Sequence, residues 1–128
     1  MYQAAPIIAV VDDDESIRRS LNRLLRSAGL TVEMFATGEE FLKAADTHRL
    51  DCVILDLHMP ELGGFDIQDR LVQANARIPV VILTGYDTPE SRNRAQTAGV
   101  VAFLLKPVDG QVLIDAVKAA VADRFGKQ

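Results

Sequence analysis

Three acidic residues stand in a row at Asp12, Asp13 and Asp14, directly after the apolar run Ile7 to Val11. Other apolar runs end in the same way: Asp56 follows Cys52 to Leu55, Thr84 and Gly85 follow Val80 to Leu83, and Lys106 and Pro107 follow Val100 to Leu105. If these runs are strands of one open sheet, the polar residues meet at a single rim, because such sheets bind ligands outside the carboxyl ends of their strands. Carboxylates about 5 Å apart repel by about 3 kcal/mol at an effective dielectric near 20, so the cluster requires a cation or raised proton affinity. Carboxylates, a backbone carbonyl and waters suit Mg2+, which shares its shell with a substrate phosphate; Mn2+ could substitute. Lys106 would hold the oxygens of a transferring phosphoryl group, and Asp56, on the central run, is best placed to be the nucleophile that forms an acyl phosphate.

The elements that must position these residues are legible from periodicity. A weaker alternating run, Leu30 to Phe35, makes a fifth strand and ends without a comparable polar group. Between the first two runs, Ile17, Leu21, Leu24, Leu25 and Ala28 form one apolar helical stripe that stops at Gly29. Glu39 to Asp46, Phe65 to Ala74, Pro89 to Ala98 and Asp109 to Phe125 supply four further helices. Continuous apolar strands alternating with helices predict an α/β fold, a (βα)5 doubly wound three-layer sandwich with a parallel sheet and right-handed crossovers.

Composition agrees with a single folded unit over residues 1–128, with Gly126-Lys127-Gln128 as a tail or a truncated linker. Hydrophobic residues make up 48% and charged residues 25% of the chain, as in a globular protein. The net charge of −4 lacks the basic footprint of a nucleic-acid binder. No apolar run approaches bilayer length and the start carries no basic leader, so a cytoplasmic setting is expected. Cys52 is the only cysteine and sits among apolar residues, which predicts a buried, reduced thiol.

The motifs resemble the CheY-like receiver domains of two-component signalling over almost the whole chain. The likeness is carried by Val10-Val11-Asp12-Asp13-Asp14, by Leu55-Asp56-Leu57-His58-Met59-Pro60 with Gly64, by Leu83-Thr84-Gly85, and by Phe103-Leu104-Leu105-Lys106-Pro107. Ser20-Leu21 through Leu25, Phe35 and Phe41-Leu42 look closest to FixJ-like receivers, which usually precede a helix-turn-helix output domain. The resemblance implies the flavodoxin-like strand order 2-1-3-4-5, for which this family is itself a standard example. It implies Asp56 as phosphoacceptor; Asp12, Asp13, Asp56 and the main-chain carbonyl of His58 as metal ligands; and Lys106 as the phosphate-contacting lysine. Thr84 and Phe103 resemble the switch hydroxyl and switch aromatic, and the Lys106-Pro107 bond is cis in relatives. The implied partners are a sensor histidine kinase, a DNA-binding output domain absent from this chain, and a second copy through the face of the fourth helix, fifth strand and fifth helix.

Plainer readings stand beside these. Asp14 is placed to cap the first helix, since Asp is favoured at N-caps. His58 lies in a loop where a solvated side chain is the default, Met59 reads as packing, and Pro60, Gly63 and Gly64 as a turn. Tyr86 either shields an acyl phosphate or covers the entrance to the fourth helix. The fourth helix offers mainly Ser91, Ala95 and Ala98 to the core and should be the easiest to shift. Among alternatives, a haloacid-dehalogenase-like phosphatase needs an Asp-x-Asp motif that Asp56-Leu57-His58 lacks, and a flavodoxin-like cofactor binder needs a phosphate loop where this chain has three aspartates. An interaction module without phosphoryl chemistry is the third alternative.

Overall fold

The computed structural model describes residues 5–126; the first four residues, Lys127 and Gln128 lie outside it. Strands and helices alternate through the chain as β1 (Ile7–Val11), α1 (Glu15–Ser27), β2 (Thr31–Phe35), α2 (Gly38–Thr47), β3 (Cys52–Leu55), α3 (Gly64–Gln73), β4 (Val80–Thr84), α4 (Pro89–Ala98), β5 (Ala102–Leu105) and α5 (Gly110–Gly126). The strands form one sheet in the order β2-β1-β3-β4-β5, and every neighbouring pair is parallel.

Strand alternation divides the core in two. Ile8, Val10, Cys52, Ile54, Val81 and Leu83 face α1 and α5, where Leu21, Leu25, Leu113 and Val117 cover them. Ala9, Val11, Val53, Leu55, Val80 and Ile82 face the other way, against Phe41 of α2 and Ile67 and Leu71 of α3. Each fully buried Leu or Ile contributes about 1.5–3 kcal/mol, so β1, β3 and β4, covered on both faces, form the buried centre of the sheet. Cys52 is buried, as expected from its apolar neighbours.

Two strands start later than the apolar pattern suggests, for one reason. The Leu30 N–H donates to the Leu25 carbonyl at 3.2 Å, and the Val100 N–H to the Ala95 carbonyl at 3.2 Å, so both belong to the preceding helix ends. Gly29 and Gly99 reverse the chain there with φ of 85° and 78°, a region that favours glycine. Strand pairing therefore begins at Thr31 and Ala102.

At the amino-terminal rim, Asp51 is 0% exposed. It joins β1 to β3: its N–H donates to the Ile7 carbonyl at 2.8 Å while its carboxylate accepts the Ile7 N–H at 2.8 Å. Arg49 lies 3.3 Å from the same carboxylate oxygen. Nothing in the sequence marks this residue, since an isolated aspartate before an apolar run resembles any turn residue.

Candidate functional site

The carboxyl ends of β1, β3, β4 and β5 bring together the predicted residues. Asp12 and Asp56 are 3% and 7% exposed and Thr84 is 0% exposed, whereas Asp13 is on the surface. One carboxylate oxygen from each of Asp12, Asp13 and Asp56 lies within 4.8 Å of the others, an all-oxygen group able to hold a metal ion. That donor set fits a hard divalent cation better than a soft one. Lys106 reaches the cluster from β5, its Nζ 2.8 Å from Asp12 Oδ2 and 3.4 Å from Asp56 Oδ2. Burial, the largest single influence on that ammonium, opposes its charge, but Asp12 and then Asp56 outweigh it and lift its pKa above the ordinary 10.5.

Local structure aims each group. Asp14 caps α1, its carboxylate accepting the N–H groups of Ser16 at 2.9 Å and Ile17 at 3.3 Å. The backbone turn between strand and cap is held from two sides: Asp12 Oδ1 accepts the Asp14 N–H at 2.9 Å, and Arg18 Nη1 donates to the Asp12 carbonyl at 2.7 Å. The sequence does not mark Arg18 for this role, because one arginine on an arginine-rich helix gives no sign of which main-chain oxygen it will reach. The Lys106 N–H donates to the Thr84 carbonyl at 2.8 Å, and the Lys106-Pro107 peptide bond is cis.

Gly63 and Gly64 do more than allow a turn. A Cβ on Gly63 would lie 2.4 Å from the Leu57 carbonyl oxygen, and one on Gly64 2.8 Å from that of Asp56. The start of α3 is thus packed against the main chain that carries Asp56 and His58, which only residues without a side chain permit. Met59 packs against the second core cluster. His58 and Tyr86 are both exposed, with ring centroids 3.8 Å apart, so the loops after β3 and β4 touch beside the acidic cluster. Thr84 Oγ1 accepts the Tyr86 N–H at 3.3 Å, and Phe103 lies half-buried on β5.

Residues 8–118 match the response regulator receiver domain family. The chain belongs to that family. Nodulation protein W of Bradyrhizobium diazoefficiens is 42% identical over 114 residues, covering 89% of this chain and 50% of that protein. Response regulator protein TodT of Pseudomonas putida is 35% identical over 121 residues, covering 94% of this chain and 53% of its own length. This receiver domain therefore spans about half the length of the curated relatives it matches. The crystal structure of FixJ-N superposes with a TM-score of 0.85 at 31% identity, covering 93% of this chain and 95% of that one. The expected FixJ-like kinship and CheY-like fold, with its 2-1-3-4-5 strand order, both hold. Among the described residues no helix is long and apolar enough to cross a membrane.

Proposed function

We propose that this receiver domain accepts a phosphoryl group on Asp56 from the phosphohistidine of a sensor histidine kinase and uses it to reset the surface around α4, β5 and α5. The supporting observation is the unequal engagement of the two buried carboxylates. Asp12 is tied closely, to Lys106 at 2.8 Å and to the Asp14 N–H at 2.9 Å. Among the described residues the Asp56 carboxylate has only long contacts, 3.4 Å to Lys106 and 3.4 Å from the His58 N–H. Its oxygens are oriented yet weakly held, as a nucleophile requires.

In the transfer, an Asp56 oxygen forms a bond to phosphorus as the phosphorus–nitrogen bond breaks, and the imidazole leaves with the electron pair and takes up a proton. Asp12, Asp13, Asp56 and the His58 carbonyl would hold Mg2+ or Mn2+, which supplies positive charge to the phosphoryl oxygens. Lys106, already charged between Asp12 and Asp56, can turn toward the same oxygens. Thr84 exchanges its contact with the Tyr86 N–H for one with the phosphoryl group, and Phe103 follows by changing rotamer.

The domain thus acts on itself alone, in phosphorylation and in hydrolysis, and is not a turnover enzyme. A covalently joined output domain that controls transcription and a phosphorylation-dependent second copy on the α4, β5 and α5 face complete the reading, and a cytoplasmic setting follows from the kinase partnership. Incubation with acetyl phosphate and Mg2+ tests the core of it by mass spectrometry. Wild type should gain a single phosphoryl group, about 80 Da, that Asp56→Asn does not acquire. An unmodified wild type, or equal labelling of the variant, overturns the assignment.

A further inference from the structure

The helix α4 is seated differently from its neighbours. Leu21 and Leu25 anchor α1, Ile67 and Leu71 anchor α3, and Leu113 and Val117 lie under α5. In α4, whose sequence is PESRNRAQTA, Ala95 alone is buried, and Ser91 and Ala98 are half-buried. So little apolar area cannot hold a ten-residue helix in register.

Two arginines take over that task. Residues two apart on a helix point about 200° apart, so Arg92 and Arg94 leave α4 on opposite sides. Arg92 lies over the Phe103 ring of β5, its guanidinium carbon 5.0 Å from the centroid, and donates through Nε to the Asp87 carboxylate at 2.5 Å. Arg94 lies over the Phe65 ring of α3 at 4.5 Å, with its Nη2 3.4 Å from the Asp69 carboxylate. Gln68 of α3 adds one neutral bond, from Nε2 to the Ala98 carbonyl at 3.2 Å. Each guanidinium therefore combines an aromatic ring beneath it with a carboxylate beside it, a pairing that lysine reproduces poorly.

We propose that Arg92 and Arg94 are the positioning residues of α4: two cationic clamps fix the helix between Phe103 and Phe65, and its docking loosens as ionic strength rises. All four charged partners are about half exposed, with side-chain exposures of 51% for Arg92, 44% for Asp87, 55% for Arg94 and 60% for Asp69, so salt has access to both clamps. The Arg92 clamp also spans from the loop after Thr84 to β5, so the two sides of the Thr84 and Phe103 region are joined through a residue of α4. This inference rests on the contacts themselves and stands or falls independently of phosphorylation on Asp56.

Amide hydrogen exchange of the unphosphorylated domain tests it, with α1 and α5 as internal references. Arg92→Met and Arg94→Met keep the aliphatic stem and remove charge and plane. Each should speed exchange across α4 by about threefold to tenfold while α1 and α5 change little. The lysine variants, which keep the charge without the planar guanidinium, should fall between wild type and Met. Raising NaCl from about 0.1 to about 1 M shortens the screening length from about 10 to about 3 Å. It should speed α4 exchange in wild type and have little further effect in the double Met variant. Unchanged α4 protection in both Met variants, salt insensitivity in wild type, or equal acceleration of all helices would each overturn the proposal.

Discussion

Replacing Asp13 by Asn should make the cation-free domain more stable and the cation-loaded domain weaker, and the reversal is the informative part. An oxygen of Asp13 lies within 4.8 Å of oxygens on both Asp12 and Asp56. At 4.8 Å each repulsion is about 0.9 kcal/mol in bulk water and about 3.5 kcal/mol at an effective dielectric of 20. Asp13 is exposed, so the lower figure governs, and part of it is offset by the lost attraction to Lys106. A net gain of about 1 kcal/mol is expected, equivalent to about 3–5 °C in Tm for a domain of this size. Asn keeps the shape and one carbonyl oxygen but removes the anionic ligand. Mg2+ should then bind at least about tenfold more weakly, and each tenfold loss removes about 1.4 kcal/mol of cation-dependent stabilisation. Urea unfolding of both proteins across a Mg2+ series should therefore give curves of stability against cation concentration that cross. If Asp13→Asn is less stable than wild type without cation, or gains as much from Mg2+ as wild type does, the electrostatic account of the acidic cluster is wrong.

The remaining expectations are more local. Lys106 has its folded pKa raised above 10.5, so its contribution to stability is complete below pH 10.5 and fades as pH rises through the higher folded value. The Tm difference between wild type and Lys106→Gln should accordingly be flat near neutral pH and shrink in the alkaline range. Gly63→Ala drives a methyl to 2.4 Å from the Leu57 carbonyl oxygen and should cost about 1–3 kcal/mol, with weakened Mg2+ binding through displacement of the His58 loop, measurable by urea unfolding and calorimetric titration. Asp51→Ala leaves the half-buried Ile7 N–H without its carboxylate acceptor and should cost about 1–3 kcal/mol in urea unfolding. Because Asp51 lies at the opposite rim, the rate of labelling by acetyl phosphate under native conditions should change little; a large loss would mean that the two ends of the sheet are coupled.

Much of this protein was legible in the residues alone, because period and punctuation act locally. Alternating β-branched strands, the leucine stripe of α1 and the stops at Gly29 and Gly99 determine a five-fold strand and helix alternation, and a parallel sheet of that kind places polar residues that follow its strands at one rim. Asp12, Asp13, Asp56, Thr84 and Lys106 are placed at one rim by that rule, and Asp14 caps α1 as its position predicts. Tertiary structure decided what depends on meetings between distant segments. Gly63 and Gly64 are required by the approach of α3 to the Asp56 strand end, Asp51 by the joining of β1 to β3, and Arg18 by the position of one main-chain carbonyl. Nothing in the sequence links Arg92 to Phe103 or Arg94 to Phe65; the sheet order and the packing of α4 bring those rings beside them. A side chain's own sequence neighbours set its backbone, but the atoms that satisfy its charge come from wherever the sheet order brings them.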